Sequence, residues 1–219
     1  MIKLVVFDWN GTLFADMNAS TVGVNAKLKF FGHLPITLKQ YREVFDVPTK
    51  KMYERLGVDT ALQEEKAAEA QKIYHDVYEK EAVHVRTRVG AREVLQFIKK
   101  KRIPIILFSN HTMAGINYQL DRLKVSLYFD AVLANEDIYG AHSKGKKDRL
   151  VDYLQTIDIQ PEEVLIIGDS PEEIHIGKEL GLKTLAITGG FCSTARLKAA
   201  KPDVLIHSLR DIVKIIEET

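Results

Sequence analysis

Side chains that could do chemistry stand where three apolar runs of this sequence end: Asp8, Ser109, Asn110 and Asp169. A carboxylate can attack phosphorus as a nucleophile or hold a metal ion, and hydroxyl and amide groups can bind the oxygens of an anionic substrate. Open α/β sheets bind ligands at the carboxyl ends of their strands, so we expect these side chains to share one edge of a sheet. Together they predict a site for an anionic substrate.

The segment 7–13, FDWNGTL, surrounds the first of these carboxylates. Asp8 ends an apolar run, and Gly11 and Thr12 follow it closely. Backbone N–H groups near Gly11 and Thr12 could donate hydrogen bonds to a phosphate. A basic segment at 144–147, KGKK, could supply the positive charge that an anionic substrate needs.

Apolar runs alternate with helical patterns from residue 90 onward, which predicts a parallel sheet covered by helices on both faces. The predicted strands are 4–7, 105–108, 132–134, 164–167, 184–187 and 204–206. The predicted helices between them are 90–102, 112–124, 145–157, 172–181 and 208–218. The expected fold class is α/β, with a Rossmann-like parallel sheet of five or six strands sandwiched by helices.

Residues 16–85 interrupt this alternation, because they show helical patterns and no clear strand pattern. The helical candidates are 18–31, 37–45, 48–56 and 60–82. An all-helical insertion directly after the strand of Asp8 would lie over the carboxyl edge of the sheet, where a lid belongs. We therefore divide the chain into a Rossmann-like core, 1–15 and 86–219, and a small helical cap domain, 16–85.

The order of these motifs resembles the haloacid dehalogenase-like (HAD) superfamily, which consists mostly of Mg²⁺-dependent phosphatases. The resemblance covers essentially the whole chain, and the helical cap makes it similar to the phosphoglycolate phosphatase type. It implies that Asp8 is the nucleophile, that Ser109 binds phosphate and that Asp169 binds the metal ion. Glu173 stands in the last position of the GDxxxD-like motif of the family.

The resemblance also implies a lysine that balances the charge at the active site. We choose Lys144, because Asp148 then falls where the family pattern often has an acid, and Lys147 is the alternative.

The implied reaction is hydrolysis of a small phosphorylated metabolite through an aspartyl-phosphate intermediate. The expected catalytic residues are Asp8, Asn10, Ser109 and Lys144. The implied cofactor is Mg²⁺, with the expected ligands Asp8, the backbone carbonyl of Asn10, Asp169 and Glu173. The residues expected to bind the substrate phosphate are Gly11, Thr12, Ser109, Asn110 and Lys144.

Asn10 departs from the family pattern, in which an aspartate two residues after the nucleophile protonates the leaving group and then activates water. An amide can do neither near neutral pH, and loss of general acid–base help typically lowers the rate ~10²–10⁴-fold. Asp16 could replace the lost acid if the chain folds back. The interpretation we favour is that Asp16 is a solvated residue at the start of the cap.

Because Asn10 replaces the usual aspartate, three functions remain open for this protein. The one we favour is a phosphatase with weak or substrate-restricted turnover, for which substrates with good leaving groups would suffer least. A dehalogenase or phosphonatase-type hydrolase is the second. A non-catalytic phospholigand-binding or regulatory protein, which binds Mg²⁺ and phosphate without turnover, is the third.

Composition limits the partners and the compartment. The net charge of +1 over 219 residues argues against a dedicated surface for nucleic acid or an anionic membrane. A single cysteine and an amino-terminal sequence unlike a signal peptide predict a cytoplasmic protein. We expect a monomer or homodimer that acts on a small molecule.

Several other side chains have two interpretations. Trp9 could stack on a substrate or pack in the core, and Lys50 and Lys51 could reach a second anionic group of the substrate or be solvated. The seven histidines show no metal-ligand spacing along the chain. We expect His111 to begin a helix rather than act as a general base.

Overall fold

The structure, a computed structural model, describes residues 1–136 and 144–218 of the chain. Six strands form one sheet: β1 (Leu4–Asp8), β2 (Ile105–Thr112), β3 (Ala131–Asn135), β4 (Val164–Gly168), β5 (Lys183–Ile187) and β6 (Val204–Ile206). Their spatial order is β3-β2-β1-β4-β5-β6, and each neighbouring pair is parallel. This sheet confirms the predicted α/β fold class.

Alternate residues of β1 pack into two different hydrophobic clusters, because successive side chains of a strand point to opposite faces of the sheet. Val5 and Phe7 lie in one cluster, and Leu4 and Val6 lie in the other. Every residue of β1 is buried. Burial on both faces explains why this strand is a continuous apolar run in the sequence.

Five helices follow β1 within residues 9–82: α1 (Met17–Phe30), α2 (Leu38–Val44), α3 (Lys50–Arg55), α4 (Thr60–Glu65) and α5 (Ala67–Ala82). α5 packs along α1, and Gly23 allows the close approach, since a Cβ there would lie 3.0 Å from the ring of Tyr74. These helices share a hydrophobic cluster that includes Leu28 and Tyr53. Their assignment to a separate cap domain, residues 16–85, stays a prediction.

The other helices lie beside the sheet: α6 (Ala91–Lys100), α7 (Met113–Arg122), α8 (Lys146–Leu154), α9 (Pro171–Glu179), α10 (Thr194–Ala199) and α11 (Asp211–Glu217). Short 3₁₀ turns at Ser126–Tyr128 and Pro161–Glu163 precede β3 and β4. Among the described residues, no helix has the length and apolar character needed to cross a membrane.

Two helical predictions differ from the structure. The predicted helix 60–82 is two helices, because Lys66 leaves the helical region with φ −104° and ψ 15°. The composition of this segment favours helix throughout, so the break does not follow from helix propensity. Leu62 of α4 and Ala70 of α5 pack into the same hydrophobic cluster on either side of it. α10 was not predicted, because six residues are too few to show a clear apolar period.

Candidate active site

The carboxyl ends of β1, β2 and β4 meet at the middle of the sheet. Asp8 is the last residue of β1, and Asp169 directly follows β4. In β2, Phe108 pairs with Asp8, and Ser109 is the next residue. β1 lies between β2 and β4, which makes this the topological switch point where open α/β sheets bind ligands. The side chains of Asp8, Ser109 and Asp169 line a cavity of about 460 Å³ between the sheet edge and the helices α1, α2, α3 and α5.

A buried cluster of charges lies beside Asp8. The Lys146 ammonium lies 2.8 Å from Oδ1 of Asp8 and also pairs with Glu173. Burial raises the pKa of Asp8 well above its usual range, and the Lys146 ammonium opposes this rise. Burial by itself would lower the pKa of Lys146, but the carboxylates of Asp8 and Glu173 raise it. Lys146 is therefore a fixed positive charge next to the Asp8 carboxylate.

Asp169 is held by donors from two loops. Its Oδ1 accepts a hydrogen bond from the Thr12 hydroxyl at 2.9 Å, and its Oδ2 accepts one from the backbone N–H of Phe191. Gly11, with φ +73°, lies against this carboxylate, and a Cβ there would be 2.4 Å from Oδ2. Burial, followed by the charge of Glu173, raises the pKa of Asp169 to about 7. A second buried carboxylate thus lines the cavity.

Asn10 is fixed by a triangle of hydrogen bonds. Its Nδ2 donates to Oδ2 of Asp16 at 2.8 Å and to the Tyr78 hydroxyl oxygen at 2.9 Å. The Tyr78 hydroxyl donates in turn to Asp16 at 2.9 Å. The other end of the amide, Oδ1, accepts a hydrogen bond from the Ser109 hydroxyl at 3.2 Å. Asn10 therefore presents an acceptor on the side of Ser109.

Asp16 is fully buried, so the interpretation of this residue as solvated is wrong. The chain does fold back after Asp8, because the carbonyl of Trp9 accepts hydrogen bonds from the backbone N–H groups of residues 12–14. Burial raises the pKa of Asp16, while the hydrogen bonds from Asn10 and Tyr78 lower it. A carboxylate thus lies one hydrogen bond from the position where the family pattern has its acid.

Ser109 and Asn110 of β2 lie at different depths. Ser109 is buried, and its carbonyl accepts a hydrogen bond from Arg149 at 2.8 Å. Asn110 is exposed, and its Nδ2 donates to Glu172 at 2.8 Å. Both residues line the cavity, so the Ser109 hydroxyl and the Asn110 amide are placed where a ligand at the sheet edge could reach them.

A family model described as haloacid dehalogenase-like hydrolase matches residues 5–187, a range that contains Asp8, Ser109, Lys146 and Asp169. The chain belongs to the haloacid dehalogenase-like hydrolases. The resemblance inferred from the order of the motifs is confirmed.

Two curated haloacid dehalogenase-like relatives align with nearly all of this chain. Phosphoglycolate phosphatase 1 of Pseudomonas aeruginosa is 22% identical over 99% of this chain and 80% of its own length. Pyrophosphatase PpaX of Bacillus cereus is 25% identical over 99% of this chain and 97% of its own length. A haloacid dehalogenase-like family hydrolase of Streptococcus pneumoniae superposes with a TM-score of 0.82, at 22% identity, over 98% of both chains. That structural likeness shows the shared fold.

The lysine that lies beside Asp8 is Lys146, and not the predicted Lys144 or its alternative Lys147. Lys144 pairs with Asp152 and Lys147 pairs with Glu179, both at the exposed surface. α8 begins at Lys146, and Lys146 and Leu150, one turn later, are its buried residues. The spacing of 146 to 150 is the sequence signal that could have found it.

The loop of Gly11 and Thr12 does not supply the expected phosphate donors. The N–H of Gly11 donates to Asp16 at 2.8 Å and to Phe14, and the N–H of Thr12 donates to Trp9. The Thr12 hydroxyl donates to Asp169, as described above. These donors are engaged within the protein because they shape the loop that carries Asn10 and position the Asp169 carboxylate.

Glu173, expected to be a metal ligand, has other partners. Its Oε2 accepts a hydrogen bond from the Ser170 hydroxyl at 2.7 Å, which forms a capping box at the start of α9. Its Oε1 pairs with Lys146. This geometry favours Glu173 as the partner that positions Lys146 over Glu173 as a direct metal ligand.

Trp9 packs in the core rather than facing a substrate, and Lys50 and Lys51 lie away from the cavity. Trp9 is buried; its Nε1 donates to Gln119 at 2.6 Å, and its ring stacks on Phe14. Lys50 pairs with Glu64, and neither Lys50 nor Lys51 is among the residues that line the described cavity.

The sequence reasoning missed a basic residue on the opposite wall of the cavity. Lys27 of α1 lines the cavity, and its Nζ lies 4.5 Å from the centre of the Tyr53 ring. Burial lowers the pKa of Lys27 to about 8. Ser20 and Val24 line the cavity on the same face of α1, so the spacing 20, 24, 27 is the helical signal that could have found it.

Proposed function

We propose that this protein is a Mg²⁺-dependent phosphatase that hydrolyses a small phosphorylated metabolite through an aspartyl-phosphate on Asp8. The observation that carries the proposal is the buried pair of Asp8 and Lys146 at 2.8 Å, at the switch point of a haloacid dehalogenase-like sheet. The names of the relatives, phosphoglycolate phosphatase and pyrophosphatase, support hydrolysis at phosphorus.

The residues at this edge of the sheet fit a divalent cation. Asp8, Asp169 and Glu173 are buried, and the charge of Glu173 raises the pKa of both aspartates. Lys146 brings one positive charge to this group, so negative charge remains in excess. Carboxylate and carbonyl oxygens are the ligands that Mg²⁺ prefers. Asp8, Asp169 and the backbone carbonyl of Asn10 would hold the ion, which would offset repulsion between a carboxylate and a phosphate.

Asp8 is placed to act as the nucleophile. Lys146 holds Oδ1, which leaves Oδ2 to attack phosphorus. The bond from phosphorus to the substrate oxygen breaks, and the phosphoryl group passes to Asp8. Water then attacks this acyl phosphate, releases inorganic phosphate and restores the carboxylate. The ammonium of Lys146 and the hydroxyl of Ser109 stabilise the charge on the phosphoryl oxygens during both steps.

Asn10 limits which substrates react well. Its Oδ1 can accept a hydrogen bond from the attacking water, but the amide transfers no proton to the leaving group. Without that proton the rate falls most for alkoxide leaving groups and least for aryl or acyl phosphates. We therefore propose a substrate whose leaving group is stable as an anion.

The opposite wall of the cavity suggests a second anionic group on the substrate. Lys27 is partly buried there, with its ammonium over the Tyr53 ring. A buried ammonium is stabilised by an anion that enters with the ligand. The two relatives are named for substrates, phosphoglycolate and pyrophosphate, that carry a further anionic group besides one phosphate.

The decisive experiment measures Mg²⁺-dependent phosphate release from an aryl phosphate by the native chain, Asp8→Asn and Asp169→Asn. We expect turnover by the native chain, none by Asp8→Asn, and acid-stable label on the native chain after a quench with radiolabelled substrate. Native turnover no greater than that of Asp8→Asn, together with Mg²⁺-dependent phosphate binding, would instead establish a non-catalytic phospholigand-binding protein. Metal-independent release of halide or aldehyde, measured with suitable halogenated or phosphonate substrates, would indicate the dehalogenase or phosphonatase type.

A further inference from the structure

Two histidines and a glutamate from different parts of the chain meet beside the active-site cavity. His75 and Glu79 lie one turn apart on α5, and His111 lies near the end of β2. One ligand atom from each lies within 4.8 Å of the other two. The imidazole rings of His75 and His111 are parallel within 7°, with centroids 6.1 Å apart. The cluster therefore joins a helix of the inserted segment to a strand of the sheet.

The hydrogen bonds around His111 leave two acceptor atoms facing each other. The N–H of Trp9 donates to Oε1 of Gln119, so the Gln119 amide must direct its NH₂ group the other way. That NH₂ group lies 3.3 Å from Nε2 of His111, which makes Nε2 an acceptor. Oε1 of Glu79 lies 3.2 Å from the same Nε2. Nε2 has a single lone pair, so a cation bound between Nε2 and the Glu79 carboxylate would replace the hydrogen bond from Gln119.

We propose that His75, Glu79 and His111 form a second metal site, of the Zn²⁺ class, that links α5 to β2. Two imidazoles and one carboxylate suit Zn²⁺ better than Mg²⁺, which takes oxygen ligands. Small side-chain rotations would bring the three ligand atoms to the ~2.0–2.2 Å that Zn²⁺ requires. His75 and His111 line the cavity, so a fourth position of the metal would be open to water or to a substrate oxygen.

The exposure of the ligands gives a metal ion a route to the site. His111 is buried, with 7% of its side chain exposed, whereas Glu79 is 39% exposed. An ion could therefore enter from the side of Glu79.

A metal at this site would tie the inserted helices to the sheet. Substrate and product must pass between these two parts of the molecule to reach the cavity, so we expect Zn²⁺ to slow turnover and to raise thermal stability. The effect on turnover rests on the proposed phosphatase function, whereas metal binding and thermal stability do not.

The test is titration of the intact chain with Co²⁺ and Zn²⁺ in excess Mg²⁺. Visible absorption reports bound Co²⁺, and competition with a chromophoric chelator reports Zn²⁺ affinity. We expect His75→Ala and Glu79→Gln to weaken Zn²⁺ binding by at least about 10-fold and to abolish the Co²⁺ absorption. The exposed His84, just beyond α5, provides the matched control His84→Ala, which we expect to bind as the native chain does.

Zn²⁺ binding by His75→Ala or Glu79→Gln at native strength would overturn the proposal, and so would no binding by the native chain. Inhibition by Zn²⁺ that persists in Glu79→Gln would show that the ion acts at the Asp8 site instead. A protein that binds Co²⁺ as expected but releases no phosphate would refute the proposed function and leave this metal site established.

Discussion

The side-chain amide nitrogen of Asn10 lies 2.8 Å from the carboxylate oxygen Oδ2 of Asp16. Both side chains also bond to the Tyr78 hydroxyl. An acid at position 16 and an amide at position 10 are therefore complementary, and an aspartate at position 10 would place two carboxylates against each other in a buried site. The departure of Asn10 from the family pattern is thus coupled to the presence of Asp16.

We expect Asn10→Asp alone to lower the free energy of unfolding by ~1–3 kcal/mol, because it replaces a buried hydrogen bond with two facing acceptors. The double variant Asn10→Asp/Asp16→Asn exchanges the two groups and should recover most of this loss. It should also release phosphate about 10-fold faster than the native chain or better, since it carries the acid at position 10. Urea unfolding and phosphate release check the two effects. If the double variant loses the sum of the unfolding free energies lost by the two single variants, the two positions are independent.

We expect Lys146→Met to lower kcat by ~10²–10³-fold, because it removes the fixed charge beside Asp8. The matched controls are Lys144→Met and Lys147→Met, whose side chains pair at the surface and should leave kcat unchanged. Because Lys146 is buried among carboxylates, circular dichroism must accompany the kinetics to show that the variant folds. A larger loss in the Lys144 variant than in the Lys146 variant would contradict this assignment.

We expect Gly11→Ala to weaken Mg²⁺ binding, because a methyl group there would displace the Asp169 carboxylate, 2.4 Å away. Gly32→Ala is the control: Gly32 has φ +79°, close to the φ +73° of Gly11, but a Cβ there meets nothing within 4 Å. Both variants should lose ~1–2 kcal/mol of stability from the left-handed backbone. Calorimetric titration with Mg²⁺ separates them, and equal Mg²⁺ affinity in both would refute the role of the close approach.

We expect Lys27→Met to stabilise the fold at neutral pH and to raise the KM for substrates with a second anionic group by ~10-fold or more. Lys29→Met, an exposed change on the same helix, is the control. The KM for a simple aryl phosphate should not change in either variant. If Lys27→Met leaves the KM of both kinds of substrate unchanged, Lys27 does not bind substrate.

The stability of the native chain should depend on pH through Lys27. Its pKa is lowered from 10.5 to about 8 in the fold, so the unfolded chain binds more protons between these values. The contribution of Lys27 to stability therefore rises as pH increases from about 8 to about 10.5. Urea unfolding across this range should show that rise in the native chain and in Lys29→Met, and not in Lys27→Met.

The strands and the edge that carries Asp8, Ser109 and Asp169 were predictable, because buried parallel strands leave continuous apolar runs and their carboxyl ends meet. The break at Lys66 was not predictable, since its neighbours all favour helix. The separate status of the cap, residues 16–85, is still a prediction.

The sequence by itself determined the fold class, the family and the positions of Asp8, Ser109 and Asp169 at one edge of the sheet, because these depend on local apolar periods and on residues next to strand ends. Only the tertiary structure decided that Lys146 replaces Lys144, that Asp16 and Tyr78 hold Asn10, and that His75 meets His111. Each of these depends on where a helix begins or how a loop folds back. Such choices are made by packing between residues distant in the chain, which no local pattern records.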